Sequence, residues 1–255
     1  MENSQLKLNA KAVLKTTYWM SFLATFIFAL MSGVSSYIQN FIRGLGGGSV
    51  DYNDYIEYMS RGDYERALES LEGANQYSNP GLSTLAYIVG IAITIFVLNI
   101  ISVGLHKLFI NARKTRKADL GDMFSMFSSY TPVMKTMFFY DLYVWLWSLL
   151  FLIPGIVKMY SYYMVPYIIA ENPGIDTDRA FEISKRTMDG EKGKAFYMHL
   201  SFIGWYLLGV LACCIGIYFV TPYAQATYTE FYAYVKQKSL ATGVATPADY
   251  GEAVV

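Results

Sequence analysis

Hydrophobic positions along this chain gather into four long runs, separated by segments that hold most of the charge. Two runs, about 17–42 and 82–108, have the length of ~20 apolar residues or more that a helix needs to cross a hydrocarbon core of roughly 30 Å. The other two, Val133–Ala170 and Ala195–Val235, are about 38 and 41 residues long, twice the length of one crossing. Pro154-Gly155 interrupts the first near its middle, and Gly216 the second. Lipid offers no partner to a naked peptide group, so such breaks belong at a membrane surface, as hairpin turns. The pattern predicts an all-α integral membrane fold with six transmembrane helices in three hairpins, accompanied by short interfacial amphipathic helices. Its spans are about 17–42, 82–108, 133–153, 155–171, 195–214 and 216–236, in a single polytopic domain of residues 1–238.

The polar segments divide by sign. Lys7, Lys11 and Lys15 precede the first span. Lys107, Arg113, Lys114, Arg116 and Lys117 follow the second, and Arg179, Lys185, Arg186, Lys192 and Lys194 follow the fourth. The outer loop, 43–81, holds three Arg against seven Asp and Glu. Basic loops alternate with an acidic loop and tight turns, which puts both termini on the cytoplasmic side of the membrane. The first run lacks a small-residue cleavage site and is read as a retained, multi-pass helix rather than a signal peptide. Lys158, one turn past Pro154-Gly155, is read as an anchor that snorkels to the interface, with a substrate-facing role as the alternative.

Shorter periodicities mark surface helices. In the outer loop, Tyr52, Tyr55, Ile56 and Met59, then Tyr64, Ala67, Leu68 and Leu71, recur at helical spacing after a hinge, RGLGGGS. They predict two amphipathic helices forming a lid, or a docking surface for a membrane-protein or extracytoplasmic partner through the acidic, Tyr-rich stretch 51–77. DTDRAFEISKRTMDG predicts a helix with Asp176 as N-cap and Gly190 just past its end. LGDMFSMFSSY predicts an interfacial helix ending near Pro132, with Met123 and Met126 on the membrane surface. Ala86, Gly90 and Thr94 form a small-residue stripe for close packing. Pro166 and Pro222 are expected to kink their spans. The tail, 239–255, is polar and aperiodic and is expected to be unstructured.

Composition agrees with a membrane class: 54% of residues are hydrophobic, 16% charged and 17% aromatic. With 20 basic and 20 acidic residues the chain is neutral, and nothing points to nucleic acid. Cys213 and Cys214 are adjacent in an apolar run and read as packing residues. No nucleotide-binding, hydrolase or metalloprotease motif occurs, so no catalytic, cofactor-binding or metal-binding residue is assigned and no cofactor is expected. The ionisable and polar groups inside the spans are the one candidate site. Asn99, His106, Asp141, His199 and Glu230 all fall at the depth of the inner leaflet. Such groups mark a function by default when their helix faces converge. Structural pairing, a transport or ion pathway, and a metal or catalytic site are the three readings.

Two stretches, WSLLFLIPGI…VPY and WYLLGVLACCIGI…TPY, repeat Trp147, Gly155 and Pro166 against Trp205, Gly216 and Pro222. These residues shape helices and do no acid–base work. LWSLLFLIPGIVKMYSYYMVPYIIAENP, AFEISKRTMDGEKGKAFYMHLSFIGW and IGIYFVTPYAQATYTEFY, with NAKAVLKTTYW near the N-terminus, resemble the bacterial integral membrane family called domain of unknown function 975. That family is similar in layout to the membrane domain of some glycerophosphodiester phosphodiesterases. The resemblance implies a multi-pass membrane protein and supplies no catalytic residue. The leading expectation is a non-enzymatic protein that acts by interaction, as scaffold, accessory subunit or immunity-type factor. The alternatives are a small transporter or channel that uses the cytoplasm-side polar cluster and, more weakly, an intramembrane lipid-modifying enzyme.

Overall fold

The computed structural model describes residues 2–45, 52–76, 80–211 and 215–252, and among them all regular structure is helical. In chain order the helices are α1 (Asn3–Leu45), α2 (Tyr52–Ser60), α3 (Tyr64–Gln76), α4 (Pro80–Ile93) and, after a π-helical turn at Thr94–Leu98, α5 (Asn99–Thr115). Then come α6 (Leu120–Phe124), a 3₁₀ turn at Ser125–Ser129, α7 (Tyr130–Leu150), α8 (Leu152–Ser161), α9 (Val165–Glu171) and α10 (Thr177–Thr187). α11 (Lys192–Leu211), α12 (Gly216–Ala241) and a 3₁₀ turn at Pro247–Tyr250 complete the chain. Two continuous helical stretches, Asn3–Val34 and Thr84–Thr115, are long and apolar enough to cross a membrane. Residues group into two compact units, Met1–Ala29 with Leu98–Val255, and Leu30–Val97.

In the smaller unit, α2 and α3 pack as a helical hairpin. Gly62 turns the chain with φ of 73°, and the Asp63 side chain accepts from Arg66 N at 3.3 Å to cap α3. Of the expected apolar stripes, Ala67 is buried, whereas Ile56, Met59, Tyr64 and Leu68 face outward. Ala86 and Gly90 are buried on α4, as close packing of a small-residue stripe requires, while Thr94 bonds back to Gly90 O at 3.0 Å. Cys213, Cys214 and residues 46–49 of the hinge lie outside the described residues.

The larger unit is built on two hairpins, α7–α8 and α11–α12. Phe151, extended at φ −158° and ψ 145°, is the break between α7 and α8, so Pro154 sits in the first turn of α8 and is not itself the turn. This suits proline, whose missing N–H is one of the unpaired donors of a helix start. Gly155 lets α8 approach α7: a Cβ there would stand 2.6 Å from Ser148 Oγ and 2.8 Å from Ser148 Cα. At the second hairpin a Cβ on Gly209 would meet Gly216 and Ile217 backbone atoms at 2.8–2.9 Å. Lys158 Nζ lies 4.5 Å from the Trp147 ring centroid across the first hairpin, an interaction of the ammonium with the ring face.

Five sequence expectations need correction. The stretch 155–171 is not one helix: α8 ends at Ser161 and α9 starts at Val165. Ser184 of α10 takes up the interruption, donating to Ser161 O at 2.8 Å and accepting from Met164 N at 3.2 Å. Pro166 therefore opens a helix instead of kinking one. Pro132 likewise lies in the first turn of α7, and Met123 and Met126 are buried core residues because α6 packs on α5. Finally, the tail is folded as far as residue 252. Thr246 and Asp249 form a reciprocal capping box, and Tyr250 is buried with its hydroxyl 2.7 Å from Ser239 Oγ.

The remaining caps follow the sequence. Asp176 accepts from Asp178 N and Arg179 N, Lys185 and Arg186 occupy the last turn of α10, and Gly190 turns the chain at φ 77°.

Candidate functional site

Four of the five candidate residues surround one cavity of about 340 Å³ in the larger unit. α5 contributes Asn99, Ser102 and His106, α7 contributes Tyr140 and Asp141, and α11 contributes His199. Their spacing explains the convergence: Asn99, Ser102 and His106, at i, i+3 and i+7, share one face of α5. Asn99 Nδ2 donates to Asp141 Oδ2 at 2.5 Å and ties α5 to α7. The His106 ring lies 4.1 Å from that of Tyr167, and the His199 ring 4.4 Å from that of Tyr228. His199 Nδ1 is 2.8 Å from Ala195 O. A carbonyl only accepts, so Nδ1 carries the proton and Nε2 is left as an acceptor.

The rest of the wall is Met137, Tyr163, Pro166, Tyr167, Gln225 and Tyr228. Sequence reading missed this part because tyrosine in a membrane-type chain reads as an interfacial ring. Two signals were present: Gln225 is polar in the middle of an apolar span, and Tyr163 and Tyr167 repeat at i, i+4. The interruption between α8 and α9 decides where the tyrosines point, and it depends on Ser184, 20 residues further along. Within the cavity wall, His106 Nδ1, the Tyr167 hydroxyl and Gln225 Oε1 are buried and meet no hydrogen-bond partner among the described residues.

Glu230 does not line this cavity. It is buried and faces Arg113 Nε at 3.1 Å. Arg113 belongs with a charged girdle at the far end of α5 and α12, where Glu171 binds Lys114 and Lys236 at 2.6 Å each and accepts from the Tyr232 hydroxyl at 2.6 Å. Lys236 also reaches Glu252 of the tail at 2.8 Å. These groups surround a second, smaller cavity of about 200 Å³. Lys135, the other charged residue of α7, is exposed.

Three further ion pairs tie α10, α11 and α12 to their neighbours. Arg179 holds Asp249 by two bonds, Nε to Oδ1 at 3.2 Å and Nη2 to Oδ2 at 3.0 Å, and also donates to Val244 O. The guanidinium keeps the Asp249 carboxyl below its usual range, against a smaller opposing effect of burial. Burial pushes Glu191 upward, but Lys194 at 2.8 Å and Lys238 at 2.9 Å outweigh it, and the net displacement is downward.

Chemically, the described residues of the cavity wall offer one carboxylate, two imidazoles, amides and phenols, with no lysine or arginine among them. No group of three or more His, Cys, Asp or Glu placed to hold a metal ion occurs among the described residues. No curated protein and no solved structure matches the chain, so the likeness in layout to phosphodiesterase membrane domains adds nothing to the site. A family model does match, over α8 to α12, and it is the family that the sequence resembles. Residues 152–239 carry the match to "Protein of unknown function (DUF975)".

Proposed function

We propose that this chain is a six-span protein of the bacterial cell membrane, with both termini in the cytoplasm, that takes a small polar solute into its inter-helical cavity as a transporter does. The observation that carries the reading is the convergence of Asn99, His106, Asp141 and His199 on one cavity. Buried polar groups within lipid are costly, and structural pairing alone leaves no reason for His106 Nδ1 and Gln225 Oε1 to stay unpaired.

Exposed apolar side chains support insertion of both hairpins. Trp145, Leu149, Leu150, Phe151 and Ile153 face outward at the tip of α7–α8, and Leu207, Leu208, Leu211 and Ile215 at the tip of α11–α12. In water such clusters would be aggregation sites; in lipid they are the expected surface. Asp141 stands ten residues before Phe151, about 15 Å along the helix, which is near half of a hydrocarbon core of roughly 30 Å.

Uptake into vesicles reconstituted with the full chain tests the reading, with labelled amines, amino acids, polyols and sugars as the panel. At least one class enters faster than into protein-free vesicles, and Asp141→Asn abolishes the difference. Uptake equal to that of empty vesicles across the panel removes the transport reading. The interaction reading would then stand on the α2–α3 hairpin, whose Ile56, Tyr64 and Leu68 are exposed and available to a partner.

A further inference from the structure

We infer that the cavity selects a small protonated amine, held by Asp141 through charge and by neighbouring acceptors through its N–H groups. The inference rests on the solute-binding reading and names the chemical class of the solute. Three features of the wall point the same way.

The first is the charge balance. Among the described residues Asp141 is the one carboxylate facing the cavity, and neither lysine nor arginine lines it. The basic residues Arg113, Lys114 and Lys236 are engaged elsewhere, by Glu230 and Glu171. A carboxylate away from bulk water favours an opposite charge beside it, and Asn99 supplies a hydrogen bond but no charge.

Hydrogen-bond polarity is the second feature. Asp141 as a carboxylate only accepts, His199 Nε2 is an acceptor, Gln225 Oε1 is buried without a donor, and the tyrosine hydroxyls of the wall, that of Tyr167 included, can turn to accept as well as donate. An anion would find the carboxylate repulsive. A neutral polyol would satisfy the acceptors and leave the charge alone. An ammonium group supplies three donors and a positive charge together.

The third is the aromatic wall. Tyr163, Tyr167 and Tyr228, with the two imidazoles, surround the space at ring separations of 4.1–6.0 Å. Rings attract an organic cation through their faces, and alkyl substituents pack against them. A divalent metal ion would need a ligand group of several His or carboxylates, which the described residues do not form.

The test measures saturable binding to the purified full chain in lipid nanodiscs, by calorimetry. The probes are ethylammonium, tetramethylammonium, potassium, ethanol and acetate. Ethylammonium is expected to bind at least 10-fold more tightly than tetramethylammonium, which has the charge and no N–H donor, and than potassium. Asp141→Asn is expected to weaken it at least 10-fold and Gln225→Leu by a smaller factor, with both variants eluting as the wild type and keeping its helical dichroism. If Asp141→Asn misfolds, Gln225→Leu and the probe series still decide. Preference for ethanol or acetate overturns the amine inference and leaves the cavity as a solute site. Preference for potassium or tetramethylammonium overturns it too, in favour of a cation without N–H donors. No saturable binding of any probe to the folded protein overturns both the inference and the solute-binding reading.

Discussion

At the scale of single residues, the tightest constraints come from side chains too small to be noticed as chemistry. Gly104 on α5 faces the Met123 carbonyl of α6, and a Cβ there would overlap it. Backbone cannot swing aside as a side chain can, so Gly104→Ala must separate two elements of the core. Overpacking of this kind costs about 1–3 kcal/mol. The variant is expected to unfold at a lower temperature than wild type in detergent, and an unchanged midpoint would refute the close approach. The sequence held no sign of this glycine, because nothing in α5 alone shows that Met123 approaches it. The polar face of α5, by contrast, was legible: Asn99, Ser102 and His106 stand at helical spacing in an otherwise apolar run.

At the scale of elements, composition misjudged the tail and the fourth span for one reason. Both are stabilised by distant partners: Arg179 of α10 binds Asp249, and Ser184 of the same helix bridges α8 and α9. The tail latch has a pH dependence whose sign follows from the Asp249 carboxyl, held below its ordinary value of 3.8. A carboxyl lowered on folding contributes stability that is complete above its unfolded value and is lost as pH falls through the folded one. The protection factors of residues 244–252, exchange rates taken relative to the unstructured chain at the same pH, should therefore stay high and flat between about pH 7 and 5 and fall below about 4. Asp249→Asn should exchange quickly at every pH. Equal protection in the variant at neutral pH would show that Tyr250 burial and the Lys236–Glu252 pair hold the tail without the Arg179–Asp249 pair.

For the whole molecule, the six-span layout is a claim about sides. In a cysteine-free background, Arg61→Cys should react with an impermeant maleimide added outside intact cells, and Lys117→Cys only after permeabilisation. Both positions are exposed, so reactivity reports their side of the membrane rather than burial. Labelling of position 117 from outside would reverse the orientation and with it the direction in which the cavity faces. The Lys and Arg distribution carries this expectation, since acidic residues steer insertion little.

The sequence by itself determined the class of the molecule, an all-helical chain with helices fit for a membrane. It also determined the places where α10 and α12 begin and four residues of the candidate site, Asn99, His106, Asp141 and His199. These depend on local properties: apolar length, capping chemistry at Asp176, and residue spacing on one helix face. The tertiary structure alone decided which of those residues meet. It sent Glu230 to Arg113 and the other four to the cavity, opened the chain between Ser161 and Val165, and folded the tail onto α10. Each of those outcomes turns on a contact between residues 20 or more positions apart. Their cost in chain entropy is met only when the whole core packs at once, and no local pattern records it.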